Sequence, residues 1–195
     1  MKKLLAVVSV LVCFSSVAQA IELPFNLGVD AGVSWGLGPI YNQTKNIQSR
    51  TMNTIDLHVF PGYRFMGVLV GPMFDLGING QNTDPLVVNN TNLKGTSWLL
   101  GLGAEYSLFG IVLSAGYDFL GRYSESYPAA GMDASYSKPS GLVFRAGYMI
   151  LPFISVDASY RYASYSTSTL GVSDIDISAN KVTQISYAVG ASFHL

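Results

Sequence analysis

Between residues 183 and 195 the side chains alternate. Ile185, Tyr187, Val189, Ala191, Phe193 and Leu195 are apolar, whereas Gln184, Ser186, Gly190, Ser192 and His194 are small or polar. A period of two marks a β-strand, because successive side chains leave opposite faces of the backbone. Such a strand has one face to bury. The same pattern occurs seven more times upstream, so the fold must accommodate eight two-faced strands.

The first of these covers residues 25–35, with Phe25, Leu27, Val29, Ala31, Val33 and Trp35 opposed to Asn26, Gly28, Asp30, Gly32 and Ser34. The second, 54–64, sets Ile55, Leu57, Val59 and Tyr63 against Asp56, His58 and Arg64. In the third and fourth, Val68, Val70, Phe74, Leu76 and Ile78 oppose Gly71, Asp75 and Gly77, then Trp98, Leu100, Leu102 and Tyr106 oppose Ser97, Gly101, Gly103 and Glu105. The fifth, sixth and seventh follow suit: Ile111, Leu113, Tyr117 and Phe119 against Ser114, Gly116 and Asp118; Leu142, Phe144, Tyr148 and Ile150 against Gly141, Arg145 and Gly147; Ile154, Val156, Tyr160 and Tyr162 against Ser155, Asp157, Ser159 and Arg161. Each segment is about ten residues long, the length a tilted strand needs to cross a bilayer.

Which face meets which medium is decided by charge. Only 12% of the residues are Asp, Glu, Lys or Arg, about half the usual quarter. A soluble barrel of the lipocalin kind would turn its apolar face inward and clothe its outside in charge. Here the polar face is largely glycine with about one charge per strand, too few to solvate an exterior, so the apolar face is expected to meet lipid. Aromatic placement agrees: Phe25, Tyr63, Tyr106, Tyr148 and Phe193 fall at one end of the strands and Trp35, Trp98, Tyr117, Phe119, Tyr160 and Tyr162 toward the other. Two girdles at the headgroup levels suit amphipathic rings.

The links alternate as well. Those at Met66-Gly67, Phe109-Gly110 and Leu151-Pro152 are a few residues long, while those near 37–51, 79–95, 121–139 and 164–181 are long and rich in Asn, Ser, Thr and Gly. The expected fold is therefore all-β: an eight-stranded antiparallel up-and-down transmembrane barrel with short periplasmic turns and four long extracellular loops. Inside it, Asp30, Asp56, His58, Arg64, Asp75, Glu105, Asp118, Arg145, Asp157 and Arg161 are expected to form a polar network. An eight-stranded barrel has room only for side chains to fill it, so these charges should pair, with the inward glycines leaving space for arginines or trapped waters.

Residues 1–20 have the form of a cleavable signal peptide. Lys2 and Lys3 precede the apolar run 4–12, and Ala18-Gln19-Ala20 offers a cleavage site, leaving 21–195 as the barrel. That apolar run is too short to span a bilayer as a helix, and no later stretch reaches 18 uninterrupted apolar residues. Cys13, the only cysteine, lies in the leader, so disulfides, thiol nucleophiles and cysteine-bound metals are excluded from the mature part. Removing Lys2 and Lys3 from 11 basic side chains against 12 acidic ones leaves a mildly acidic protein without a basic run, which argues against nucleic acid as a partner.

With leader, eight strands, alternating links and a terminal strand, residues 21–195 resemble the small outer-membrane β-barrels of the OmpA/OmpX type. The resemblance implies the outer membrane as location, its lipids and lipopolysaccharide as surroundings, and insertion by the barrel-assembly machinery, which in that family reads a terminal strand ending in an aromatic residue. Here the aromatic, Phe193, is followed by His194 and Leu195. No periplasmic peptidoglycan-binding domain is expected after the barrel.

Candidate chemistry is sparse. His58 beside Asp56 could be a fragment of a Ser/His/Asp site, but an inward histidine among carboxylates more often belongs to a satisfied polar network, and His194 is expected at the far end of its own strand. No serine and histidine pair near the lipid-facing rim, as a resemblance to lipid A acyltransferases or deacylases would require. With the two histidines expected far apart and the carboxylates dispersed, no metal site is anticipated, and Asp174 with Asp176 reads as a solvated loop before a calcium site. The triplet 42–44 matches a glycosylation signal common by chance. Gly101 and Gly103 lie in a strand, where they cannot be a phosphate loop. No catalytic residue and no cofactor are expected. The functional expectation is a non-enzymatic barrel with a filled interior, serving envelope integrity or binding a surface ligand through its loops. A narrow channel and a lipid-modifying enzyme are the alternatives.

Overall fold

The computed structural model describes residues 27–42, 47–82, 93–127, 132–170, 173–179 and 181–195. The leader and Phe25 lie outside them, as do residues 43–44. Among the described residues nine strands follow one another: β1 Leu27–Asn42, β2 Ile47–Phe65, β3 Val68–Asn82, β4 Leu93–Leu108, β5 Ile111–Tyr127, β6 Met132–Leu151, β7 Ile154–Leu170, β8 Ser173–Asp176 and β9 Val182–His194. Each of β1 to β7 pairs antiparallel with the next, and β9 closes the ring by pairing with both β1 and β7. Eight staves thus form a closed barrel, as expected, and closure leaves none of them with a free edge. The ninth element, β8, is a four-residue strand that folds back on the far end of β7.

The staves are longer than the ten residues anticipated, running from 13 residues in β9 to 20 in β6. Much of what reads as loop is strand. The β1–β2 ladder runs out to the Asn42↔Ile47 pair, and β5–β6 to Tyr127↔Met132. Beyond the membrane-crossing length both faces are free to be polar, so the apolar alternation disappears while Thr, Ser and Tyr continue the backbone pairing.

At the opposite end the turns are tight. In Met66-Gly67 and Phe109-Gly110 both central residues have positive φ, near 50° for Met66 and Phe109 and near 80° for the glycines. This hairpin geometry matches strand twist and normally selects Asn-Gly. Glycine meets the second position without a Cβ penalty, whereas Met66 and Phe109 carry a full side chain into the left-handed region.

Exposure is inverted relative to a water-soluble domain. Leu102 is 59% exposed and Ile78 70%, while Asp118 is fully buried and Asp30 is 3% exposed. Apolar side chains cover the outside and carboxylates fill the inside, the arrangement of a membrane barrel.

The interior is less polar than the sequence suggests. Toward the long-loop end, Ile40, Met52, Leu99, Tyr123, Ala163, Tyr165 and Val182 pack into an apolar cluster, flanked by Tyr136 and Ile177. Phe60, Leu69, Met73 and Val143 form a second one. Tyr123 points inward because a bulge opposite Leu100/Gly101 shifts the register of β5 after Asp118, so that Phe119 and Leu120 both face outward. Nor do the inward glycines only house arginines. A Cβ on Gly103 or Gly116 would collide with the sulfur of Met73, which occupies the room both leave.

Candidate functional site

Two buried polar clusters lie inside the barrel, and each is assembled from strands distant in sequence. In the first, Asp75 on β3 accepts from Arg145 Nη2 of β6 at 2.8 Å and is paired with Arg161 Nη2 of β7 at 2.6 Å. Arg161 Nε lies 3.5 Å from Asp118 Oδ2 on β5. Two guanidinium groups therefore reach from β6 and β7 to β3, bridging the lumen. Asp56 stands nearby and accepts from Thr54 Oγ1 at 2.8 Å rather than meeting His58.

The second cluster lies near the short-turn end. Asp30 on β1 holds both histidines: His58 Nε2 of β2 is 2.7 Å from Asp30 Oδ1, and His194 Nδ1 of β9 is 3.0 Å from Asp30 Oδ2. Glu105 on β4 places Oε1 3.5 Å from the same His194 nitrogen and 3.9 Å from Arg64 Nη2. Asp157 on β7 accepts from Ser155 Oγ at 2.9 Å and from Ser192 Oγ at 3.0 Å. Ser155 Oγ is also 2.8 Å from His194 Nε2, and Ser192 Oγ 3.2 Å from His58 Nε2. All of these side chains are buried except Arg64, which is about one-third exposed at the mouth.

This arrangement decides one alternative and corrects one expectation. His58 does not pair with Asp56: Asp56 accepts from Thr54 on its own strand, while His58 reaches across the sheet to Asp30. The histidines are not far apart either. Closure of β9 on β1 puts His194 opposite Asp30 in register, and His58 comes to the same carboxylate from the next strand. Sequence reasoning set His194 aside and did not use Ser155 or Ser192. The available signal was a pair of i, i+2 motifs, Ser155-x-Asp157 and Ser192-x-His194, on strands whose register pairs Ser155 with Ser192.

Ser155, His194 and Asp30 follow one another in space in the order of a nucleophile, base and orienter, and proton accounting bears on what that order can do. A serine hydroxyl has one proton, and that of Ser155 is given to Asp157. In this arrangement His194 Nε2 meets Ser155 Oγ as donor, not as the base that would activate it. The serine is a link in a relay.

On the outer surface, Trp35, Tyr63, Trp98, Tyr106, Tyr117, Phe119, Tyr148 and Tyr162 are exposed. Tyr160 and Phe193 are half-buried, Tyr160 against Tyr187 with ring centroids 5.3 Å apart. In the last loop, Asp174 accepts from Thr169 Oγ1 at 2.6 Å and Asp176 from the Ser178 N–H at 2.8 Å, so each carboxylate is engaged within its own hairpin. The Ser178 backbone N–H, followed by its side chain, holds the exposed Asp176 carboxyl below the usual aspartate range.

No family model matches the chain, and no curated protein matches it. Among solved structures it is similar to Neisserial surface protein A, with a TM-score of 0.57 and 15% identity over 86% of this chain and 96% of the other. It is also similar to Ail, the attachment invasion locus protein of Yersinia pestis, seen in complex with the heparin analogue sucrose octasulfate. There the TM-score is 0.53 and the identity 14%, over 88% of this chain and all of the other. At such identities the likeness is one of fold: that of small eight-stranded outer-membrane barrels.

Proposed function

We propose that this membrane barrel is a non-conducting, non-enzymatic protein of the outer membrane, serving envelope integrity or binding a surface ligand at its long-loop end. The observation that carries this reading is the filled lumen. Arg145 and Arg161 bridge it to Asp75, and the apolar cluster around Tyr123 and Tyr165 packs on the loop side of that bridge. An ion crossing would have to leave water, pass an apolar layer and part a buried ion pair, each step costing several kcal/mol. The extended ladders of β1–β2, β5–β6 and β6–β7 support surface binding, because they carry the long-loop ends on rigid hairpins. Their exposed charges, among them Arg122, Lys138 and Asp133, are of both signs, which favours a mixed polar ligand over a uniform polyanion. Lipopolysaccharide and other outer-membrane lipids would surround the barrel, the assembly machinery would insert it, and residues 1–20 would direct export and be removed.

Planar-bilayer recording of the refolded protein tests the closed interior: no steady conductance is expected, and large stable openings would refute it. Overexpression should leave the mass of lipid A unchanged, whereas an added or missing acyl chain would establish a lipid-modifying enzyme. Shortening the long-loop tips one at a time and measuring binding to cells then separates surface recognition from bulk envelope support.

A further inference from the structure

We infer that Asp30, Glu105 and His194 form a binding site for one divalent first-row transition-metal ion inside the short-turn end of the barrel. Each residue offers one ligand atom, and the three atoms lie within 4.8 Å of one another. The contacts to His194 Nδ1 are 3.0 Å from Asp30 Oδ2 and 3.5 Å from Glu105 Oε1. Metal bonds of about 2.1 Å separate neighbouring donors by about 3.0 Å in octahedral geometry and about 3.4 Å in tetrahedral geometry, so both carboxylate spacings to His194 suit ligands around a common centre.

A second observation points the same way. His194 is 7% exposed, yet its Nδ1 makes no hydrogen bond: the nitrogen is close to two carboxylates and aligned on neither. A buried ring nitrogen directed between two carboxylates is disposed as a ligand. The other ring nitrogen completes the design. His194 Nε2 faces Ser155 Oγ at 2.8 Å, and the Ser155 hydroxyl donates to Asp157 at 2.9 Å. That chain fixes Nε2 as the outward-facing donor, so a metal between the carboxylates would take Nδ1 in place of any proton there, the outer-shell arrangement that orients ligating histidines. His58 plays the corresponding part for Asp30, holding Oδ1 at 2.7 Å while Oδ2 turns to the site.

The donor set selects the ion. One imidazole and two carboxylates suit zinc, manganese or ferrous iron, whereas calcium and magnesium take oxygen ligands alone. A divalent ion would also neutralise two carboxylates whose guanidinium contact is the weak 3.9 Å Arg64–Glu105 pair. Arg64, about one-third exposed beside Glu105, brings water at the short-turn mouth to the edge of the site.

The test uses the full barrel refolded in detergent and stripped with chelator, titrated with Zn2+ by calorimetry and with Co2+ as a chromophoric probe. One ion per barrel is expected, with cobalt d–d bands of nitrogen and oxygen ligation and a rise in unfolding temperature on adding Zn2+. Glu105→Gln, which keeps the side-chain shape and leaves the Asp30–histidine contacts in place, should weaken binding more than tenfold and abolish the thermal shift; His194→Gln should do the same. Absence of stoichiometric binding by the unaltered protein would overturn the site without recourse to any variant. So would undiminished binding by Glu105→Gln, or binding lost only in Asp174→Asn or Asp176→Asn, which would move the ion to the last loop.

Discussion

Arg161 holds two carboxylates at once, Asp75 at 2.6 Å and Asp118 at 3.5 Å, from a position with almost no access to water. Replacing it with Met would leave both acids without their nearest cation, and removal of one partner from a buried ion pair costs about 3–5 kcal/mol. Arg161→Met should therefore lower stability by that order in urea unfolding followed by tryptophan fluorescence in lipid vesicles. Adding Asp118→Asn should restore part of the loss, since one uncompensated charge disappears; an additive further loss would mean that Asp118 is held by something other than Arg161. At the exposed end of the molecule, Asp176 makes a subtler prediction. Its carboxyl is depressed by the Ser178 N–H, so the contact supports the folded loop above the ordinary aspartate range and is lost as pH falls through the lowered value. An NMR titration of the Asp176 carboxyl should give a midpoint below about 3.9. A midpoint at or above that would show that the Ser178 contact does not persist in solution.

Among elements, the hairpin turns are where local preference and structure disagree. Phe109 occupies a positive-φ position that favours Asn, with its ring 90% exposed at the tip. Phe109→Asn removes the backbone cost of about 1–2 kcal/mol for an L side chain there and should raise stability by up to about 1 kcal/mol. A net loss in the same urea assay would show that the ring is held by the bilayer interface. The strands themselves were legible where one face meets lipid, because alternation such as Ile55, Leu57 and Val59 against Asp56 and His58 survives only if each face has its own medium. Where strands rise past the lipid that pressure ends. The extensions to Asn42 and Tyr127, the four-residue β8 and the bulge after Asp118 therefore left no periodic trace. The polar face of each strand could likewise be listed residue by residue, yet its partners could not, since Asp75 meets Arg145 and Arg161 only after four strands have curled round. His194 was the furthest from view: its neighbour Asp30 is nearly a whole chain away, and only the closing register brings them together.

For the whole molecule, the inverted exposure can be tested directly. Leu102, 59% exposed in the middle of β4, should face hydrocarbon, and Leu102→Arg should cost about 2–4 kcal/mol of folding into a bilayer. In a short-chain detergent micelle, where a long side chain reaches water easily, the same variant should fold almost normally. Equal behaviour in both media would place that face elsewhere than against lipid.

The meeting of His58 and His194 on Asp30 also carries information about time. Residues from β1, β2, β4, β7 and β9 contribute to that cluster, and no subset of neighbouring hairpins contains it. A half-built sheet can form the Met66-Gly67 and Phe109-Gly110 turns, because contacts between sequence neighbours need little chain to be closed. The imidazole of His194 can reach its carboxylate only once the last strand has found the first. Its resonance in a refolding time course would then act as a clock for ring closure, appearing after the hairpins and together with resistance to protease.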